Sequence, residues 1–270
     1  MKLKISNVYN IDCFKGLRQI KPESIDFLLT DPPFGIDFHK MGTQYNRSQK
    51  ELGKMYTEVS EVDYYDFTLN WLDAAWKTMK SSASGLIFSG WNNLGDILNA
   101  LTEVGARLVN HIIWKYQFGV YTKKKFVSSH YHILYFTKLK EKDDHLRTFN
   151  RIPEYTNSKN PEKLYFEDVW IIKRDYQKGG EKTPTRLPLA VTDKCVRMCS
   201  NEGDIILEPF MGSGSVVLSC LKYNRQFIGF EISQPIFNVA LKRIEKMKKE
   251  MTRVESLDNW LKRTEENNRS

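Results

Sequence analysis

Asp204-Ile205-Ile206-Leu207-Glu208-Pro209-Phe210-Met211-Gly212-Ser213-Gly214-Ser215 carries the clearest structural signal in this chain. Its short apolar run reads as a buried strand, broken by an acid, a proline and two glycines one residue apart. Val216 to Leu221 continues as a helix, and Gln226-Phe227-Ile228-Gly229-Phe230 is a second strand that ends on Glu231. Strand, glycine turn, helix, strand, acid is the layout of a nucleotide-binding βαβ unit. Gly212 and Gly214 permit positive φ and a close backbone approach, and the helix behind them points its amino end at the ligand. Glu231 can accept hydrogen bonds from both hydroxyls of a ribose. The third glycine of the dinucleotide pattern is missing, and Glu208 stands where it would repel a pyrophosphate. A cationic or amino-acid-bearing ligand suits that carboxylate better.

A second stretch follows the same plan. Ile25 to Leu29 is an apolar run of the kind found in parallel sheets, and Thr30-Asp31-Pro32-Pro33-Phe34-Gly35 ends it abruptly. The prolines cannot continue the ladder, so Asp31 and Phe34 project from the carboxyl end of the strand, where open α/β sheets bind ligands. Two fixed φ angles give the carboxylate, the peptide carbonyls and the ring a stiff frame. Such a frame can grip a flat, amine-bearing group, with acceptors on the amino hydrogens and the ring on the face.

The chain of 270 residues suits one large α/β domain with insertions, or two small ones. Its 41 Lys and Arg outnumber 33 Asp and Glu for a net charge of +8, which favours a polyanionic partner, nucleic acid first. The Met1-Lys2-Leu3-Lys4 start lacks an apolar signal core and no apolar run could span a bilayer, so a cytoplasmic protein is expected. Cys13, Cys195, Cys199 and Cys220 form no disulfide framework, and Cys195 and Cys199 read as core thiols. His130 and His132 could share a strand face, but no further ligands accompany them and no metal site is expected.

Between the two stretches, Phe67, Trp71, Leu72, Ala75, Trp76 and Met79 mark an amphipathic helix over Tyr64–Lys80. Gly85–Ser89 is a strand, Leu94 to Leu101 a helix that stops near Gly105, and Leu108–Lys115 and Tyr131–Thr137 are two more strands. The loop from Asp37 to about Val62 carries Lys40 and Arg47 beside the Asp31 stretch, and Lys123, Lys124 and Lys125 stand in a basic, aromatic insert. Both suit contacts to a nucleic-acid backbone. Residues 138–185 are polar and irregular around the apolar island Tyr165–Ile172, as in a small recognition insert. Leu187 to Met198 is a helix, and Ile236, Val239, Ala240, Arg243, Ile244 and Met247 trace a last amphipathic helix. The tail from Arg253 to Ser270 is expected to fray.

Taken together the two motifs resemble the β-group amino-methyltransferases of DNA. In that family an Asp-Pro-Pro-aromatic motif comes first, a Phe-x-Gly-x-Gly motif last, and the target-recognition region lies between. The resemblance spans roughly residues 5–250. It implies an S-adenosyl-L-methionine-dependent, Rossmann-like mixed sheet with helices on both faces and a small recognition insert. Residues 1–137 would be the catalytic half, 138–185 the insert, 186–252 the cofactor half and 253–270 a charged tail. Asp31, Pro32, Pro33 and Phe34 fall on the catalytic motif, while Phe210, Gly212, Ser213 and Gly214 with Glu208 and Glu231 fall on the cofactor motifs. Asp12 and its neighbour Cys13 stand where an acid reaches the cofactor's adenine, and Asp31 borders the same cofactor. Thr185 and Arg186 stand where the cofactor carboxylate is held.

Three departures accompany this. Ile11 precedes Asp12 where a glycine is usual, Lys182–Pro188 replaces the usual His-Pro-x-Gln-Lys-Pro entry, and Phe34 replaces the commoner tyrosine. Asp31 rather than serine favours adenine over cytosine as target. The resemblance thus implies a site-specific adenine-N6 methyltransferase acting on a base flipped out of double-stranded DNA. It also suggests a homodimer, and leaves open whether a restriction endonuclease is a partner or the enzyme is solitary. A cytosine-N4 or RNA amino-methyltransferase and a catalytically silent DNA-binding subunit are the alternatives.

Overall fold

The computed structural model describes residues 3–33, 63–117, 119, 122–156, 158–160, 162–175 and 186–267, with 255–267 described by their backbone alone. Phe34, Lys40, Arg47 and Thr185 lie outside the described residues.

Among the described residues eight strands form one sheet. In chain order they are β1 (Asn7–Tyr9), β2 (Ile25–Thr30), β3 (Met79–Ser89), β4 (Arg107–Lys115), β5 (His130–Thr137), β6 (Val169–Ile171), β7 (Ile205–Glu208) and β8 (Gln226–Phe230). In space they run β1-β8-β7-β2-β3-β5-β4-β6. All strand pairs are parallel except those that β5 makes with β3 and β4. The helices are α1 (Cys13–Leu17), α2 (Tyr64–Thr78), α3 (Leu94–Glu103), α4 (Leu189–Cys199), α5 (Ser215–Lys222) and α6 (Gln234–Asn267).

Alternation along the central strands divides the core. Phe27 and Leu29 point to the layer built with α4, α5 and α6, and Leu28 to the layer built with α1, α2 and α3. Every residue of β2 except Asp26 is buried, which explains why the strand reads as an unbroken apolar run rather than an alternating one. The mixed sheet with helices on both faces matches the expected fold class.

Two expectations are corrected. Met79 belongs to β3, not to the helix before it, because α2 stops at Thr78, and Met79, fully buried, pairs with Ile25. A methionine four residues after Ala75 satisfies the helical stripe and the sheet equally, and strand pairing decides. The tail does not leave the last helix at Arg253, because α6 continues to Asn267. No glycine or proline interrupts that run after Pro235.

The described part of 138–185 lies along the body. Its island supplies β6, paired with β4, and the Asn150 amide donates to the carbonyls of Arg197 (2.9 Å) and Ser200 (2.8 Å) at the end of α4. All four cysteines are buried free thiols. Among the described residues no helix is long and apolar enough to cross a membrane.

Candidate active site

β2 and β7 lie side by side, and the chain leaves them in opposite directions: β2 leads through α2 to β3, β7 through α5 to β8. This divergence opens a crevice at the carboxyl ends of the strands, the place where doubly wound sheets bind ligands. Four acids line it in sheet order: Asp12 beyond β1, Glu231 beyond β8, Glu208 closing β7 and Asp31 beyond β2.

Asp31 and Glu208 lack what buried acceptors require. Asp31 Oδ1 and Glu208 Oε2 are enclosed and accept no hydrogen bond. Burial pushes the Asp31 carboxyl up to about 7, against the pull of the Arg174 guanidinium. Burial, then the nearby Asp31 and Glu231 carboxylates, hold Glu208 well above the usual range. Buried acceptors of this kind are met by donors, so an N–H-bearing ligand fits the crevice. Pro32, buried beside Asp31, keeps the frame stiff.

The raised Asp31 value has a consequence for stability. Folded protein holds its proton up to about pH 7 while the unfolded chain releases it near 3.8, so stability falls as pH rises through that window. Asp31→Asn therefore melts higher than the natural protein at pH 8, and the gap closes toward pH 4, as thermal melts across that range would show.

The glycine turn is held from both sides. Gly212 (φ 54°) and Gly214 (φ 79°) adopt the left-handed backbone that favours glycine. Glu231 takes the Gly212 N–H on Oε2 (3.0 Å) and the Ser233 N–H on Oε1 (2.7 Å), which leaves each oxygen a further lone pair for a hydroxyl donor. The Arg243 guanidinium on α6 donates to the Ser213 carbonyl and, at 2.9 Å, to its hydroxyl. Burial and the neighbouring Arg186 bring Arg243 down to about 10. Arg186 Nε is enclosed and without a partner. Two arginines beside a buried acid pair complement a zwitterion: its carboxylate suits Arg186 and Arg243, its ammonium Glu208. An amino-acid-bearing nucleoside such as S-adenosyl-L-methionine fits this donor and acceptor set.

Other expected cofactor residues sit as follows. Asp12 caps α1 by accepting the Lys15 N–H (3.2 Å). The Cys13 thiol is buried and pushed up to about 12, first by burial, so it offers a wall and no nucleophile. The Phe210 ring packs between Phe67 (5.9 Å) and Trp71 (5.3 Å, edge-on), which fixes the turn to α2. Lys123, Lys124 and Lys125 are exposed on the loop that leaves the carboxyl end of β4, the same edge as Asp31.

Sequence reasoning missed two groups. Arg243 was read only as part of a helix stripe, although an arginine between Ala240 and Ile244 in an apolar row signals a buried partner. The second is a cavity lined by Asp31, Phe88, Trp114, Tyr131, Arg174, Arg186 and Leu187. It unites residues from six segments, which no local pattern could announce.

The model of the DNA methylase family of N6 and N4 methyltransferases matches residues 25–242, from the first residue of β2 into α6. The chain belongs to this family. Both motifs of the methylase, Asp31-Pro32-Pro33 and Gly212-Ser213-Gly214 with Glu231, lie inside the matched span. The methylase is 28% identical to the type II methyltransferase M.HpaI of Haemophilus parainfluenzae, over 93% of this chain and 77% of that one. It is 26% identical to the type II methyltransferase M2.DpnII of Streptococcus pneumoniae, over 87% of each. Its fold is that of M1.HpyAVI, whose crystal structure is a complex with SAM (TM-score 0.63, 24% identity, 88% of this chain and 98% of that one). The PvuII DNA methyltransferase, described as cytosine-N4-specific, has the same fold (TM-score 0.68, 17% identity, 91% of each chain).

Proposed function

We propose that this methylase transfers a methyl group from S-adenosyl-L-methionine to the exocyclic amine of adenine extruded from double-stranded DNA. The observation that carries this is the enclosed, unpartnered Asp31 oxygen at the switch point, next to a second unpartnered acid and the glycine turn. An extruded base with an amino group is the donor that this acceptor lacks.

S-adenosyl-L-methionine, when bound, supplies an electrophilic methyl group. Arg186, Arg243 and Glu208 would hold its amino-acid end, Glu231 its ribose and Asp12 its adenine. Asp31 and the Pro32 carbonyl accept the two amino hydrogens of the base, and Phe34 stacks on its face. That grip turns the nitrogen lone pair out of conjugation with the ring, an effect of orientation and electrostatics rather than of a strong base. As the nitrogen–carbon bond would form, the carbon–sulfur bond would break to leave a neutral thioether, and Asp31 would take the surplus proton of the cationic nitrogen and pass it to water.

Adenine is favoured because Asp31 stands where cytosine-amino relatives more often have serine. The shared fold with the cytosine-N4-specific PvuII enzyme supports N4 of cytosine as the second reading. Single-molecule sequencing of DNA from cells that produce the chain separates them. N6-methyladenine at one short sequence is the expected result; N4-methylcytosine would transfer the mechanism to the other base.

Lys123, Lys124 and Lys125 are read as phosphate contacts. Replacing all three with alanine lowers the slope of log affinity against log salt by about 2–3, at roughly 0.9 per phosphate contact. Filter binding between 50 and 200 mM salt measures it.

A further inference from the structure

Arg174, just beyond β6, lies over three aromatic rings. Its guanidinium carbon is 4.1 Å from the Tyr116 ring centre, 5.0 Å from Tyr131 and 5.7 Å from Trp114. Trp114 and Tyr131 stack on each other at 5.7 Å, 21° from parallel, and Phe88 meets Trp114 edge-on. The same cavity is lined by Asp31, whose carboxyl feels the Arg174 charge. Arg174 Nε is enclosed and has no hydrogen-bond partner, while the same side chain hydrogen-bonds Tyr131. The space left with Arg174 in place is about 20 Å³, room for roughly one water.

A guanidinium is flat, rich in N–H donors and stacks on aromatic faces. An extruded nucleobase with an amino group shares each property, and it too must stack on rings and present N–H to Asp31. A ring system cannot enter a space that holds one water. We propose that Arg174 is a placeholder for the extruded base, seated in the ring-lined pocket beside Asp31 until an amine-bearing base displaces it. This rests on the methyl-transfer reading above, and adds that the site is self-occupied before DNA arrives. A phosphate contact explains the position less well, because the guanidinium is set among rings rather than displayed on the surface.

Self-occupancy reduces apparent affinity in proportion to the fraction of molecules whose pocket is open. Arg174→Ala and Arg174→Gln are compared with the natural protein on unmethylated genomic DNA at saturating S-adenosyl-L-methionine. The placeholder predicts that the KM for DNA falls, on the order of tenfold for Arg174→Ala, with the gain in kcat/KM carried by KM rather than kcat. Titration calorimetry with free adenine and free cytosine should show binding to Arg174→Ala under conditions where the natural protein binds neither base.

A rise in KM, or a fall in kcat at constant KM, would show that the guanidinium grips DNA or the reacting base, and would overturn the proposal. So would equal base binding by the natural protein and both variants. Melting temperature and S-adenosyl-L-methionine affinity report folding, and the bulkier Arg174→Gln keeps the comparison open should Arg174→Ala misfold. If the natural protein transfers nothing to DNA, the methyl-transfer reading fails, and the calorimetry still decides whether Arg174 excludes a flat base.

Discussion

Asp31→Ala lowers the single-turnover rate of methyl transfer by about 10³-fold, while S-adenosyl-L-methionine affinity stays within about twofold. The asymmetry follows from position. In the proposed complex the cofactor's amino-acid end would have Arg186, Arg243 and Glu208 as partners, and the ribose Glu231. Among the described residues the proposal gives the amine of the base Asp31 and the Pro32 carbonyl as acceptors. Removing the carboxylate deletes the acceptor that orients the lone pair, an interaction that matters most as charge develops on nitrogen. Single-turnover assays with preloaded enzyme measure the rate, and equilibrium dialysis measures the affinity. An equal loss of both would make Asp31 a cofactor ligand first.

Trp114→Ala costs about 4 kcal/mol of folding stability and lowers the melting temperature by about 10 °C. Trp114 is 1% exposed, and its indole N–H donates to the Ile172 carbonyl (2.9 Å). It packs on Phe88, Tyr116 and Tyr131 and pairs with Trp170 in register. Truncation therefore leaves a large cavity, removes the donor to the chain beyond β6 and strips the cavity beside Asp31 of a wall. Thermal and denaturant melts give the stability loss. A loss below about 1 kcal/mol would mean that the pocket collapses at little cost.

Both ends of the crevice were legible in sequence because each is a local event. A buried strand must be apolar on both faces, and the break into Asp31-Pro32-Pro33 or Glu208-Pro209-Phe210 is abrupt enough to read directly. Gly212 and Gly214 announced the left-handed turn they make. What could not be read depends on distant pairing. Nothing near residue 170 reveals that β6 joins β4, and that pairing is what carries Arg174 to the rings of Trp114 and Tyr131. The position of β5 between β3 and β4 is likewise a property of the whole sheet. One buried methionine, Met79, satisfies two periodicities, and the charged end of α6 holds no residue that breaks the helix.

The central claim is that the Asp31 edge of this sheet carries methyl transfer to an amine in DNA. Tritium-labelled S-adenosyl-L-methionine, unmethylated DNA and the natural protein test it, with Asp31→Ala alongside and the DNA digested to nucleosides. Label on the exocyclic amine of a base, adenine first, and its loss in Asp31→Ala are the predicted results. Label on a ring carbon, label in RNA alone, or undiminished transfer by Asp31→Ala would contradict the account.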